Sequence, residues 1–135
     1  MLTVGDLMTR AVITLQETDG PMQGDDLIKR HHIRHLPVVR DGKLVGMVSD
    51  RDLIRAISRQ AGSKGPLLSI ADIMTRGVET VTPDTPARDA IHKLLDRRFG
   101  SLPVVDRESR LVGIVTESDF MRLAARLLDA GAPAP

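Results

Sequence analysis

Cysteine, tryptophan and tyrosine are absent from this 135-residue chain, and phenylalanine occurs only twice. Without cysteine there is no disulfide and no thiol chemistry, which suits a reducing, cytoplasmic setting. Without aromatic rings there is no stacking platform for single-stranded nucleic acid. Charge of one sign is also lacking: 19 basic residues face 18 acidic ones, for a net charge of +1. That balance leaves no basic footprint, so no nucleic-acid partner is expected. No apolar run approaches the ~20 residues of a membrane span, and membrane insertion is not expected. The start, "MLTVGDLMTR", carries no signal-peptide apolar stretch.

Catalytic signatures are missing as well. There is no Gly-rich phosphate loop ending in Lys-Ser/Thr, no G-x-S-x-G and no H-E-x-x-H, so the chain is expected not to be an enzyme. "HHIRH" sets His31 and His35 four apart, but Pro37 follows and disfavours helix at the residue before it. With no cysteine or nearby acidic partner to complete a set, no metal site is expected.

What the chain does have is a repeat. "HLPVVRDGKLVGMVSDRD" returns as "SLPVVDRESRLVGIVTESD", and "DLMTRAVIT" as "DIMTRGVET". Leu36 recurs as Leu102, 66 residues on, and the second copy carries one extra residue in its turn. Such self-similarity fixes the architecture before any other feature. A domain of this length buries roughly two-thirds of its unfolded surface, and half of it alone is marginal. Two halves sharing one core are therefore expected, with repeat 1 at residues 1–63, repeat 2 at 64–128 and a disordered tail at 129–135.

Each repeat reads β-α-β-β-α. Thr3 and Ser69 are placed to cap short helical turns. "AVITL" and "GVETV" read as short strands. Ala90, Ile91, Leu94 and Leu95 follow helical spacing. In the first copy Gly24 and Asp25 replace Ala90 and Ile91, which predicts a shorter or looser helix there. Asp41-Gly42 marks a tight hairpin turn. The Gly, Ser and Pro of "RQAGSKGPLL" mark a linker.

"GMVSDRD" and "GIVTESD" hold the site-like pattern. Ser49 and Asp52, like Thr116 and Asp119, stand three apart at the junction of a strand and a helix, facing the same way. One reading is a capping box, in which the hydroxyl and the carboxylate satisfy backbone N–H groups. The other is a sugar grip, in which the carboxylate accepts both hydroxyls of a vicinal diol, as acidic residues do in dinucleotide-binding folds. A helix N-terminus attracts phosphate, but either aspartate would repel it. A neutral ribose suits the position better, with any phosphate held elsewhere.

Together, "DLMTR"/"DIMTR", "HLPVV"/"SLPVV" and "GMVSDRD"/"GIVTESD" give the chain a resemblance to tandem cystathionine-β-synthase (CBS) domain pairs, also called Bateman modules. The resemblance covers nearly all of residues 1–128. It implies an α/β (α+β) fold of two β-α-β-β-α repeats packed sheet to sheet about a pseudo-twofold axis, with two clefts between them. It implies a regulatory ligand of adenosine type (AMP, ADP, ATP or S-adenosylmethionine) and no required cofactor. The ribose contacts it implies are Ser49, Asp52, Thr116 and Asp119. The adenine pocket would be Ile13, Thr14, His35, Leu36 and Pro37 with Glu79, Thr80, Ser101, Leu102 and Pro103. Phosphate would meet Arg34, His35, Arg51 and Arg98. The resemblance further implies a homodimer and a separate regulated protein. The apolar residues of "LIRAI" and "FMRLAARLL" could supply the dimer surface or could equally be intrachain core. Some members serve only in dimerisation or protein interaction, and that alternative stands beside ligand sensing.

Overall fold

The computed structural model describes residues 1–62, 64–97 and 100–131. In chain order its elements are α1 (Val4–Leu7), β1 (Leu15–Gln16), α2 (Pro21–His31), β2 (His35–Arg40), β3 (Lys43–Ser49), α3 (Asp50–Ala61), α4 (Ile70–Ile73), α5 (Ala87–Arg97), β4 (Ser101–Val105), β5 (Leu111–Thr116) and α6 (Glu117–Gly131). The mixed α/β (α+β) class expected from the repeats is what the chain adopts. Thr3 and Ser69 stand at the N-caps of α1 and α4.

The chain forms two compact units, and each takes segments from both repeats. One unit holds Val12–Val78 with Arg107–Leu111; the other holds Met1–Ala11, Glu79–Asp106 and Val112–Pro135. In the first unit β1, β2 and β3 form a sheet in that order, with β1 parallel to β2 and β2 antiparallel to β3. The β2–β3 turn is Asp41-Gly42, with φ of 52° and 79°. Positive φ at both central residues is the tight hairpin turn that Asp-Gly favours. Leu15, Leu36, Val38, Val48, Leu53 and Ile70 make its core. In the second unit β4 pairs with β5, and Val4, Met8, Leu94, Leu102, Val104, Val115 and Phe120 lie in the core.

Short straps complete both units. In one, Thr9 and Ile114 exchange backbone hydrogen bonds at 2.9 and 2.9 Å. In the other, Thr75 and Met47 do the same at 2.9 and 3.0 Å. Each "MTR" segment is thus bonded to the "G-x-V" strand of the opposite repeat. Glycine is required there by a close approach: a Cβ on Gly113 would stand 2.6 Å from Met8 Sδ, and one on Gly46 2.6 Å from Met74 Sδ.

Three local expectations are corrected. First, α2 is not shorter than its counterpart: it has 11 residues, the same as α5. Gly24 is buried because α2 approaches α3 closely there; a Cβ would meet Leu53 Cδ2 at 2.8 Å. Asp25 is not a core residue but pairs with Lys29 at 2.9 Å on the helix surface. Second, the strands expected in "AVITL" and "GVETV" shrink to Leu15–Gln16 and to a single parallel bridge between Val81 and Val104. A turn closes at once after β1, where Asp19 accepts the Gln16 N–H at 2.8 Å. Third, Asp129–Gly131 of the expected tail continue α6, while residues 132–135 lie outside the described residues.

Candidate functional site

The Ser/Thr-x-x-Asp pattern occurs four times, at Thr3/Asp6, Ser49/Asp52, Ser69/Asp72 and Thr116/Asp119. In every copy the aspartate Oδ2 accepts the N–H of the hydroxyl residue, at 2.9, 2.9, 2.8 and 2.8 Å respectively. Capping is therefore present at all four positions, including the two read as sugar grips. At Ser49 it is reciprocal, since the Ser49 hydroxyl accepts the Asp52 N–H at 3.2 Å. Asp6 and Asp72 are held below the ordinary aspartate range, first by the backbone N–H of Thr3 or Ser69 and then by its hydroxyl. The pattern alone cannot mark a ligand site; burial and surroundings distinguish its members.

Asp119 stands apart on both counts. It is buried, with 5% of its surface exposed, although it is charged and lies in the first turn of α6. Its Oδ1 accepts the Thr9 hydroxyl at 3.4 Å and an Arg122 Nη at 2.6 Å. Thr116 contributes both its N–H, at 2.8 Å, and its hydroxyl, at 3.4 Å, to Oδ2. A cavity of about 540 Å³ opens beside it, lined by Asp6, Leu7, Thr9, Asp119, Arg122, Ala125 and Arg126. All seven belong to one unit, with α1 and its strap on one side and α6 on the other. A buried carboxylate on the wall of a cavity with two guanidinium groups suits a guest carrying hydroxyls and negative charge.

In the other unit, Asp52 and Ser49 open α3. His35 lies opposite Ser49 in the β2–β3 register, and the Asp50 N–H reaches the Arg34 carbonyl at 2.9 Å. The structure thus brings Arg34, His35, Ser49 and Asp52 to one end of the hairpin. Arg34 and Arg51 are exposed.

The expected adenine residues divide. Leu36 and Leu102 are 0% exposed, so their side chains belong to the two cores and only their backbones remain to meet a base. Pro37, Pro103 and Ser101 are buried too. Ile13, Thr14, Glu79 and Thr80 are half-buried, and Glu79 is paired with Lys93 at 2.5 Å. Arg98 lies outside the described residues. Sequence reasoning missed Thr9, Arg122 and Arg126. Thr9 lies inside "DLMTR" and Arg122 is three residues past Asp119, one helical turn on, but nothing local in the sequence ties Thr9 to that carboxylate.

No cluster of three or more His, Cys, Asp or Glu suited to a metal occurs among the described residues. None of their helices is long and apolar enough to cross a membrane.

The chain is 32% identical to CBSX2, solved in complex with AMP, over 94% of this chain and 98% of that one, with a TM-score of 0.84. The CBS domain pair of protein MJ0100, solved with 5'-methylthioadenosine and S-adenosyl-L-methionine, is 32% identical over 94% and 98% of the two chains, with a TM-score of 0.82. The CBS domain-containing protein YhcV of Bacillus subtilis is 30% identical over 89% of this chain and 84% of its own. Other relatives are far longer. The chain is 32% identical to a homoserine O-acetyltransferase of Methanohalobium evestigatum over 89% of itself but only 24% of that protein. It spans about a quarter of the first such curated relatives. The CBS domain matches twice, at residues 4–59 and 70–126, in step with the two copies of the repeat, and the chain belongs to the CBS domain family.

Proposed function

We propose that the protein is a cytoplasmic regulatory module that binds an adenosine-containing ligand of the AMP, ADP, ATP or S-adenosylmethionine type and signals its presence to a separate protein. The observation that carries this reading is the buried Asp119 carboxylate beside a cavity that also holds Arg122 and Arg126. The carboxylate suits a ribose diol, and the guanidinium groups suit an anionic substituent. The AMP complex of CBSX2 and the S-adenosyl-L-methionine complex of MJ0100 support adenosine as the common element. The cytosolic domain of the Mg2+ channel MgtE, solved with ATP and 32% identical over 90% of this chain, adds a triphosphate. Ser49 and Asp52, with Arg34, His35 and Arg51 nearby, offer a second place for such a ligand. The reading gives this chain no reaction of its own. Titration calorimetry of nucleotide-stripped protein against AMP, ADP, ATP and S-adenosylmethionine tests it. Saturable heat with at least one ligand, weakened in Asp119→Ala by the roughly 1.5–3 kcal/mol of a charged hydrogen bond, is expected. No heat with any of the four refutes it.

The dimerisation reading rests on a separate observation. Met121 and Leu128 on α6 are each 71% exposed and Ile54 on α3 is 60% exposed. These apolar side chains suit a second copy of the chain. Sedimentation of wild type and of Met121→Glu/Leu128→Glu decides whether a homodimer forms there.

A further inference from the structure

We propose that Arg122 is an intramolecular lock on Asp119, which makes the cavity select adenosine ligands that carry an anionic group over the neutral nucleoside. The inference rests on the ligand reading above and deepens it.

A carboxylate offers about four acceptor positions, and at Asp119 all are taken. Thr9 and Arg122 occupy Oδ1, and the Thr116 N–H and hydroxyl occupy Oδ2. A diol arriving with two O–H donors must displace something. The Thr116 N–H is fixed by the start of α6. The two threonine hydroxyls sit at 3.4 Å and can rotate away. The strong bond is the one from Arg122, at 2.6 Å, and its side chain is 65% exposed, so it can swing out. The other repeat supplies an internal comparison. Asp52 receives only the Ser49 N–H, on Oδ2, among the described residues. Arg55, which corresponds to Arg122, is exposed and makes no ion pair with it. The same motif is therefore locked in one unit and open in the other.

Displacing Arg122 separates an ion pair. A neutral nucleoside gives the guanidinium nothing in return. A ligand with a phosphate does, because the released Arg122 lies on the same cavity wall as Arg126, which itself makes no ion pair among the described residues. The cost of opening the lock thus falls on the nucleoside and is offset for the nucleotide.

The test is an NMR titration of the full chain with AMP and with adenosine, for wild type and Arg122→Met. The amide resonances of Thr116 and Ser49 report the two carboxylates separately. At Thr116, Arg122→Met is expected to tighten adenosine binding by about two- to fivefold, the range of a partly exposed ion pair, and to leave AMP binding nearly unchanged, because the lock and the phosphate contact are lost together. At Ser49 neither ligand changes. Added salt is expected to tighten adenosine and weaken AMP at Thr116 in wild type, since it screens the lock and the phosphate contacts alike. In ligand-free protein, a thermal double-mutant cycle of Arg122→Met and Asp119→Asn is expected to show coupling. Binding with the AMP-to-adenosine ratio unchanged in Arg122→Met, or no coupling in the cycle, overturns the lock alone. No shift at either amide with either ligand, in both proteins, overturns this inference; the adenosine reading falls only if ADP, ATP and S-adenosylmethionine are silent as well.

Discussion

Alanine at Gly46 or Gly113 sets a methyl group against the strap that crosses each hairpin. At Gly113 the new Cβ stands 2.6 Å from Met8 Sδ, 3.0 Å from its Cγ and 3.1 Å from the Thr9 carbonyl oxygen. Non-bonded carbon contacts settle at roughly 3.5–4.0 Å, so the overlap reaches about 1 Å. At Gly46 the Cβ meets Met74 Sδ at 2.6 Å and the Thr75 carbonyl oxygen at 2.9 Å. That carbonyl also accepts the Met47 N–H at 3.0 Å, so the backbone must yield along with the thioether. Overpacking of this kind costs about 1–3 kcal/mol. Gly113→Ala is expected in the lower half of that range, because the flexible methionine takes most of the strain, and Gly46→Ala in the upper half. Gly62 is the control, since nothing lies within 4 Å of its Cβ position. Alanine there should leave stability unchanged or raise it by about 0.4–1 kcal/mol through the unfolded chain. Urea unfolding followed by far-UV circular dichroism suits a chain with no tryptophan or tyrosine. Met8→Ala combined with Gly113→Ala should cost less than the two alone add up to, because they share one contact. If Gly46→Ala and Gly113→Ala unfold at the midpoint of Gly62→Ala, the packing of methionine on glycine does not hold the straps.

Two further outcomes follow from the same architecture. Residues 1–63 alone lack Ile70, which is 0% exposed in the core of its unit. Burying such a side chain contributes about 1.5–3 kcal/mol, a large share of the ~5–15 kcal/mol of a whole domain. The fragment should be poorly folded or self-paired by circular dichroism and size exclusion, and a cooperatively folded monomer refutes this. Acid should destabilise the protein through its capping carboxylates. Asp6 and Asp72 sit below the ordinary value of 3.8, and Glu17 sits below its own because Arg40 bonds to it. A carboxyl lowered by folding stabilises fully above its unfolded value and loses that effect as pH falls through the folded one. Stability should be level above about pH 5 and decline through pH 4 and below. Asp6→Asn/Asp72→Asn should flatten that decline, and an unchanged acid limb assigns it to other groups.

The sequence by itself determined the repeat, most of the element types and the family. Periodic apolar positions, the Asp-Gly turn and the hydroxyl caps at Thr3, Ser49 and Ser69 are local signals, and local backbone chemistry suffices to read them. It also placed Asp119 among the candidate ligand contacts, though not apart from Asp52, its counterpart in the first repeat. What the tertiary structure decided are the pairings between segments far apart in the chain. Gly24 read as a weak helix residue because propensity knows nothing of Leu53, whose methyl groups need the space a Cβ would fill. Leu36 and Leu102 read as pocket walls, and packing made them core. Thr9 and Asp119 are 110 residues apart in the chain, and no spacing rule links them. Only the strap brings the Thr9 hydroxyl to Asp119, and only the turn of α6 brings Arg122 onto its carboxylate. Burial, which turns one cap into a guarded carboxylate, comes from both repeats together.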